Sequence, residues 1–233
     1  MNKLILIAGL LLAASQSRAA EPAHAQDIAK ICTTTACRPG GYEVAVQADK
    51  GRFAAVPVGQ SPYVTPDNDI LIYPGETLVI SFTVADGKAT APTFVKQYAT
   101  SSALAVSIVE DGKAVSNPTD KALPAMPMKA DGLPDYDALP ANSIVLSYGQ
   151  SGQMAAPGHG PATILNIFNT LPQTVKLDAH MSLLSPNGLD WKKTSICPVV
   201  PRTFGLEMWP MPLGPMVVTL SGLIKPTDSM VCD

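Results

Sequence analysis

From residue 42 onward, apolar and polar side chains alternate with a period of two, the spacing that sends neighbours to opposite faces of a β-strand. Leu78, Ile80, Phe82 and Val84 share one face, while Thr77, Ser81 and Thr83 join Val79 on the other, as expected of a sheet buried on one side. The same alternation predicts strands over 42–48, 104–109, 143–148, 162–169, 175–184 and 216–224. Residues 70–73 run into Tyr73-Pro74-Gly75-Glu76, with Pro and Gly in the order of a type II turn, so 70–73 and 78–84 read as consecutive strands. Helical apolar spacing is confined to the first residues of the chain and a brief turn at 27–31.

This pattern predicts an all-β chain. Strands with one apolar face must cover it against a second sheet, and 22 prolines and 17 glycines supply turns. The expected architecture is a sandwich with immunoglobulin-like or Greek-key connections, with barrel closure as the alternative. Asn169-Thr170-Leu171-Pro172-Gln173-Thr174, leading into 175–180, resembles the turn between sandwich strands of immunoglobulin-like modules in exported bacterial proteins. The resemblance carries no activity. Between 111 and 142 the alternation lapses into Pro, Ala, Asp and Lys, which reads as a linker or a surface excursion. The expected organisation is one β unit over 26–233 carrying that excursion. The alternative is two small β domains, 26–110 and 143–233.

Residues 1–25 change the picture by setting the compartment. Lys3 precedes an uncharged run over 4–14, and Ala23-His24-Ala25 has the small residues of a cleavage site before Gln26. This is the form of a secretory signal peptide. The apolar run falls short of the roughly 20 residues that span a bilayer. The mature chain of 208 residues is therefore expected to be soluble in the periplasm or secreted. Removing the leader leaves 14 basic and 18 acidic residues, a net charge of −4. With no basic cluster beyond Lys192-Lys193, nucleic acid is not an expected partner. Low aromatic content, 6%, argues against an outer-membrane barrel, whose girdles consume Tyr and Trp.

All four cysteines, Cys32, Cys37, Cys197 and Cys232, lie in the mature chain. An even count in an exported chain implies two disulfides, for which three pairings exist. Nearest-neighbour pairing is the expectation, worth about 2 kcal/mol for the short loop and about 4 kcal/mol for the long one by chain entropy. Zinc is disfavoured, because neither pair has tight ligand spacing.

Candidate chemistry is sparse. Only His159 and His180 remain after cleavage. His180 and Asp178 share the polar face of 175–184 with Lys176, so a secreted hydrolase built on His180 is one reading. Gly149-Gln150-Ser151-Gly152-Gln153 departs from the esterase elbow, since Gln153 replaces the final Gly and no helix follows. A turn leaving the 143–148 strand accounts for it. All eight methionines of the mature chain lie after Pro124. Thioethers are soft ligands for Cu(I), which makes Met208, Met211 and Met216, with His180, the ligand set of a second reading, a periplasmic copper-handling protein. Residues 207–216 carry three prolines, expected to block regular pairing and to leave the segment extended. Its apolar residues are expected to be buried; if exposed, Trp209, flanked by Met208 and Met211, is the anchor for an envelope partner. Acidic turns at Asp67-Asn68-Asp69 and over 131–137 match no EF-hand, and turn chemistry explains them. The leading expectation is an exported, non-enzymatic binding or structural module of the cell envelope, without a cofactor.

Overall fold

The computed structural model describes residues 25–49, 51–104, 106–110, 113–115, 122–154, 160–185, 188–224 and 232. The leader over 1–24 and His159 lie outside the described residues. A short helix, α1 (Ala25–Ile31), precedes β1 (Cys37–Arg38), β2 (Tyr42–Asp49), β3 (Arg52–Val58), β4 (Ser61–Pro62), β5 (Ile70–Ile72), β6 (Glu76–Ser81), β7 (Val84–Ala85), β8 (Lys88–Ala89) and β9 (Thr93–Tyr98). A single 3-10 turn (Ser102–Leu104) then leads to β10 (Ser107–Glu110), β11 (Lys113–Val115), β12 (Ser143–Met154), β13 (Pro161–Asn169), β14 (Thr174–Ser185), β15 (Gly188–Ser195), β16 (Phe204–Trp209) and β17 (Leu213–Ile224). The chain is all-β and sandwich-like. No helix among the described residues is long and apolar enough to cross a membrane.

Two sheets enclose the main core. One has the order β16-β13-β12-β6-β9, the other β15-β14-β17-β5. Ile70 and Ile72 from β5, Leu78 and Ile80 from β6, Ile144 and Leu146 from β12, Leu165 and Ile167 from β13, Val175 and Leu177 from β14, and Met216 and Val218 from β17 are all essentially inaccessible in one cluster. Removing such side chains from water at about 25 cal/mol per Å² is the main force holding the sheets together. Tyr148 ties them further: its ring is fully buried and its hydroxyl donates to the Gly214 carbonyl across the interface at 2.9 Å. Both sheets draw on both halves of the chain, because β6 pairs with β12 and β5 with β17.

The turn over Tyr73-Pro74-Gly75-Glu76 forms as expected, with Gly75 at φ +90° and the Glu76 N–H donating to the Tyr73 carbonyl. The strands it joins enter different sheets, so the turn crosses the sandwich instead of closing a hairpin. The second face of β6 is also not solvated. Thr77 and Val79 are buried there, because Met126, Tyr136 and Leu139 of the Pro-rich excursion pack over Val79, Tyr98, Val145 and Phe168. The described part of the excursion is thus a cover for the five-stranded sheet.

A third sheet, β11-β10-β2-β3, has its own apolar cluster of Tyr42, Val44, Val46, Val56 and Val58, against which Tyr73, Val106 and Leu184 pack. Gln150 joins it to β12: its side-chain carbonyl accepts the Gln47 N–H at 2.7 Å and its amide donates to the Gln47 carbonyl at 2.9 Å, imitating a neighbouring strand. The predicted strand over 104–109 begins only at Ser107, since Leu104 ends the 3-10 turn and is buried instead. β3, β9 and β15 carry too little alternation to be predicted, and β16 alternates with Phe204, Leu206 and Met208 turned outward, just ahead of the prolines of 207–216.

Residues 207–216 pair more than their prolines suggested. Glu207, Met208 and Trp209 pair with β13, and Leu213 and Met216 pair with β14. Pro215 sits at the register shift between the two β14 pairings, where a missing N–H is tolerated. Two disulfides, Cys32–Cys37 and Cys197–Cys232, follow the nearest-neighbour pairing.

Candidate functional site

The outer face of the five-stranded sheet carries a groove of about 830 Å³. Its floor follows from strand register: Thr77, Ser147, Asn166 and Leu206 are successive cross-strand partners over β6, β12, β13 and β16. Ala125, Met126 and Met128 of the excursion form one wall, and Ser101, Ala103 and Leu104 another. Ile164, Phe168 and Leu206 complete a mainly apolar lining.

Leu104 reaches this position because residue 149 has no side chain. A Cβ at Gly149 would collide with the Leu104 carbonyl. The Gly149 and Ser151 segment, expected to be a turn, is therefore the continuation of β12. Its glycine serves close packing, and Ser151 lines the groove from within a strand.

Three hydroxyls order the polar part of the floor. Thr100 donates to the Gly75 carbonyl at 2.6 Å, which commits its only proton. Across the 3.1 Å contact Thr77 must then be the donor to Thr100, and across the 2.8 Å contact Ser147 must be the donor to Thr77. The chain runs one way, from Ser147 to Gly75. It leaves the Ser147 oxygen as an acceptor, beside the Asn166 carboxamide. The groove therefore combines an apolar lining with a hydrogen-bond acceptor at its floor.

The candidate residues read from the sequence are dispersed. His180 is exposed on the outer face of the four-stranded sheet, with Lys193 and Val217 as its cross-strand neighbours, while Asp178 lies opposite Ser195 and Thr219. Ser151 is on the opposite outer face of the sandwich, so the fold does not bring it to His180. Met208 projects outward from β16 and Met211 follows on the exposed link to β17, whereas Met216 is buried between the sheets. These three methionines and His180 do not converge. Trp209 is 9% exposed, packs into the main core and donates its indole N–H to Thr194 at 2.9 Å. It links β16 to β15 and is not free to anchor a partner.

The acidic turn over 131–137 is occupied by turn chemistry, and the Asp69 carboxylate accepts the Thr219 hydroxyl. Asp131 and Asp135 accept the N–H groups of Leu133 and Asp137, and Asp137 pairs with Arg202 at 2.7 Å. The Arg202 hydrogen bond and charge hold the Asp137 carboxyl below its ordinary range.

Arg38 and Glu76 form a buried cluster that sequence reading missed. The guanidinium meets both carboxylate oxygens, at 2.8 and 3.1 Å, and also donates to Ser61, Pro62 and Leu71. It lies between the rings of Tyr63 and Tyr73, 4.6 and 4.9 Å from their centroids. Burial alone would lower the arginine pKa, but the charge and hydrogen bonds of Glu76 outweigh it and the net shift is upward. With every polar atom of the pair engaged, this cluster fastens β1 and β4 to the sandwich. No local signal marked it, because Arg38 and Glu76 are brought together only by the tertiary fold. The groove was equally hidden, since its floor is a register across four strands.

No protein-family model, no curated protein and no solved structure matches this chain.

Proposed function

We propose that the protein is an exported, non-enzymatic binding module of the cell envelope, acting in the periplasm or outside the cell, and that the groove on the five-stranded sheet is its binding site. The observation that carries this reading is the one-way hydroxyl chain beneath an apolar lining. It presents an acceptor, Ser147, at the base of a hydrophobic trough, as small-molecule and segment-binding sites do. Two disulfides and the leader-like residues 1–25 support passage into an oxidising compartment. Sandwich connections of the Greek-key type fit strands that cross repeatedly between sheets. The separation of Ser151 from His180, and of Met216 from Met208, speaks for binding over hydrolysis or copper handling.

The test is titration with an apolar, polarity-sensitive naphthalene dye. Ile164→Arg places a charge in the groove and is expected to weaken dye binding at least ~10-fold, about 1.4 kcal/mol. Phe53→Ser, on the exposed face of β3, is expected to leave it unchanged. Binding insensitive to Ile164→Arg would remove the groove as the site. N-terminal sequencing of exported material is expected to begin at Gln26.

A further inference from the structure

We infer that two copies of this chain associate through β16, in antiparallel register about a two-fold axis at Leu206. The first observation is the direction of the backbone. Asn169 donates its N–H to the Thr203 carbonyl, and β13 then pairs with β16 from Phe168↔Phe204 to Thr163↔Trp209. Because antiparallel ladders alternate, residues 205, 207 and 209 turn their peptide groups to β13, and Phe204, Leu206 and Met208 turn theirs away. Among the described residues nothing pairs with that outer edge. The same three residues carry exposed apolar side chains, 53%, 53% and 60% accessible.

The second observation is a contrast between edges. β15, β9 and β3 carry residues that discourage pairing, Asp190, Lys192 and Lys193 on the first, Lys96 on the second, and Arg52 and Pro57 on the third, and the edge of β5 is covered by Tyr63 and Val64. β16 has neither Lys nor Pro. Its one charge, Glu207, is turned aside to accept the Cys197 N–H at 2.7 Å. An apolar edge without such protection is an association site.

The self-complementary register of β16 selects a second copy as the occupant. A two-fold at Leu206 sets Leu206 opposite Leu206 of the partner subunit, and Phe204 opposite Met208 of the partner subunit. All these pairs join outward-facing peptide groups, giving about six new backbone hydrogen bonds. Glu207 then faces Gly205 of the partner subunit, so no like charges meet. The axis is perpendicular to the sheet, so both grooves open on the same side of one continuous ten-stranded sheet. That last consequence rests on the groove being the binding site; the pairing itself does not.

Sedimentation equilibrium of the disulfide-intact protein tests the inference. The wild type is expected to dimerise with a dissociation constant of about 1 μM. Phe204→Lys and Met208→Glu, neither of which lines the groove, are each expected to weaken this at least ~100-fold. An equimolar mixture of the two variants is expected to dimerise again, since the register sets the new lysine against the new glutamate. As a measurement independent of variants, amide hydrogen exchange at Phe204, Leu206 and Met208 is expected to slow as protein concentration rises. A wild type still monomeric at about 0.1 mM, exchange at β16 independent of concentration, or variants that dimerise alone or fail to recover on mixing would overturn the inference. Dye binding retained in the variants would leave the groove standing if the dimer fell.

Discussion

At the scale of single residues, the most consequential contact is the Arg38–Glu76 pair, with side chains 1% and 7% accessible. A buried charge is tolerable only with its partner, so Arg38→Met, which strands the Glu76 carboxylate, is expected to cost about 3–5 kcal/mol in urea unfolding. Arg38→Met combined with Glu76→Leu is expected to cost less than that single change, because no lone charge remains. Gly149 makes a different demand. Gly149→Ala forces a methyl group onto the Leu104 carbonyl, and a loss of about 1–3 kcal/mol with a lower Tm is the expected result. Neither role was legible in the sequence. Period-two alternation reports which face a residue takes, but not what lies across from it. For that reason the alternation places Leu78 and Ile80 on the core face, as the structure does, but gives Thr77 and Val79 to solvent, where they are in fact buried.

At the scale of elements, long alternating strands announced themselves and short or edge strands did not. β12, β13, β14 and β17 have one face in the main core, and the alternation followed. β15 is exposed at nearly every position, so burial left no imprint on its sequence. The excursion was legible as irregular but not as a cover, since Met126, Tyr136 and Leu139 are too widely spaced to form a pattern. The cysteine pairing followed from proximity along the chain. The two bridges should differ in weight: replacing Cys197 and Cys232 by Ser is expected to lose about 4 kcal/mol, against about 2 kcal/mol for Cys32 and Cys37. Chemical unfolding of the two double variants checks the order.

At the scale of the whole molecule, buried phenols set an alkaline limit. Burial, with Glu76 nearby, raises Tyr63 from 10.0 to about 12, and burial likewise raises Tyr42, Tyr73 and Tyr148. These groups ionise more readily in the unfolded chain than in the folded one. Their contribution is therefore complete below about pH 10 and lost as pH climbs through 10 to 12 and beyond. Loss of near-UV circular dichroism is expected to coincide with the rise in tyrosinate absorbance; phenols titrating freely before unfolding would contradict it. Sheet order lay beyond sequence reading, because alternation marks strands without naming their neighbours.

That order also governs when the molecule can form. β5 waits for β17, since Val218 pairs with Ile70 and Met216 with Ile72. A chain emerging from its N-terminus therefore holds an open sheet until nearly its last strand is made, and contacts so distant in sequence close slowly. Any product ending before Leu213 leaves the β5 edge without its partner and the core without Leu213, Met216 and Val218, a target for chaperones and proteases, whereas the finished chain supplies both together.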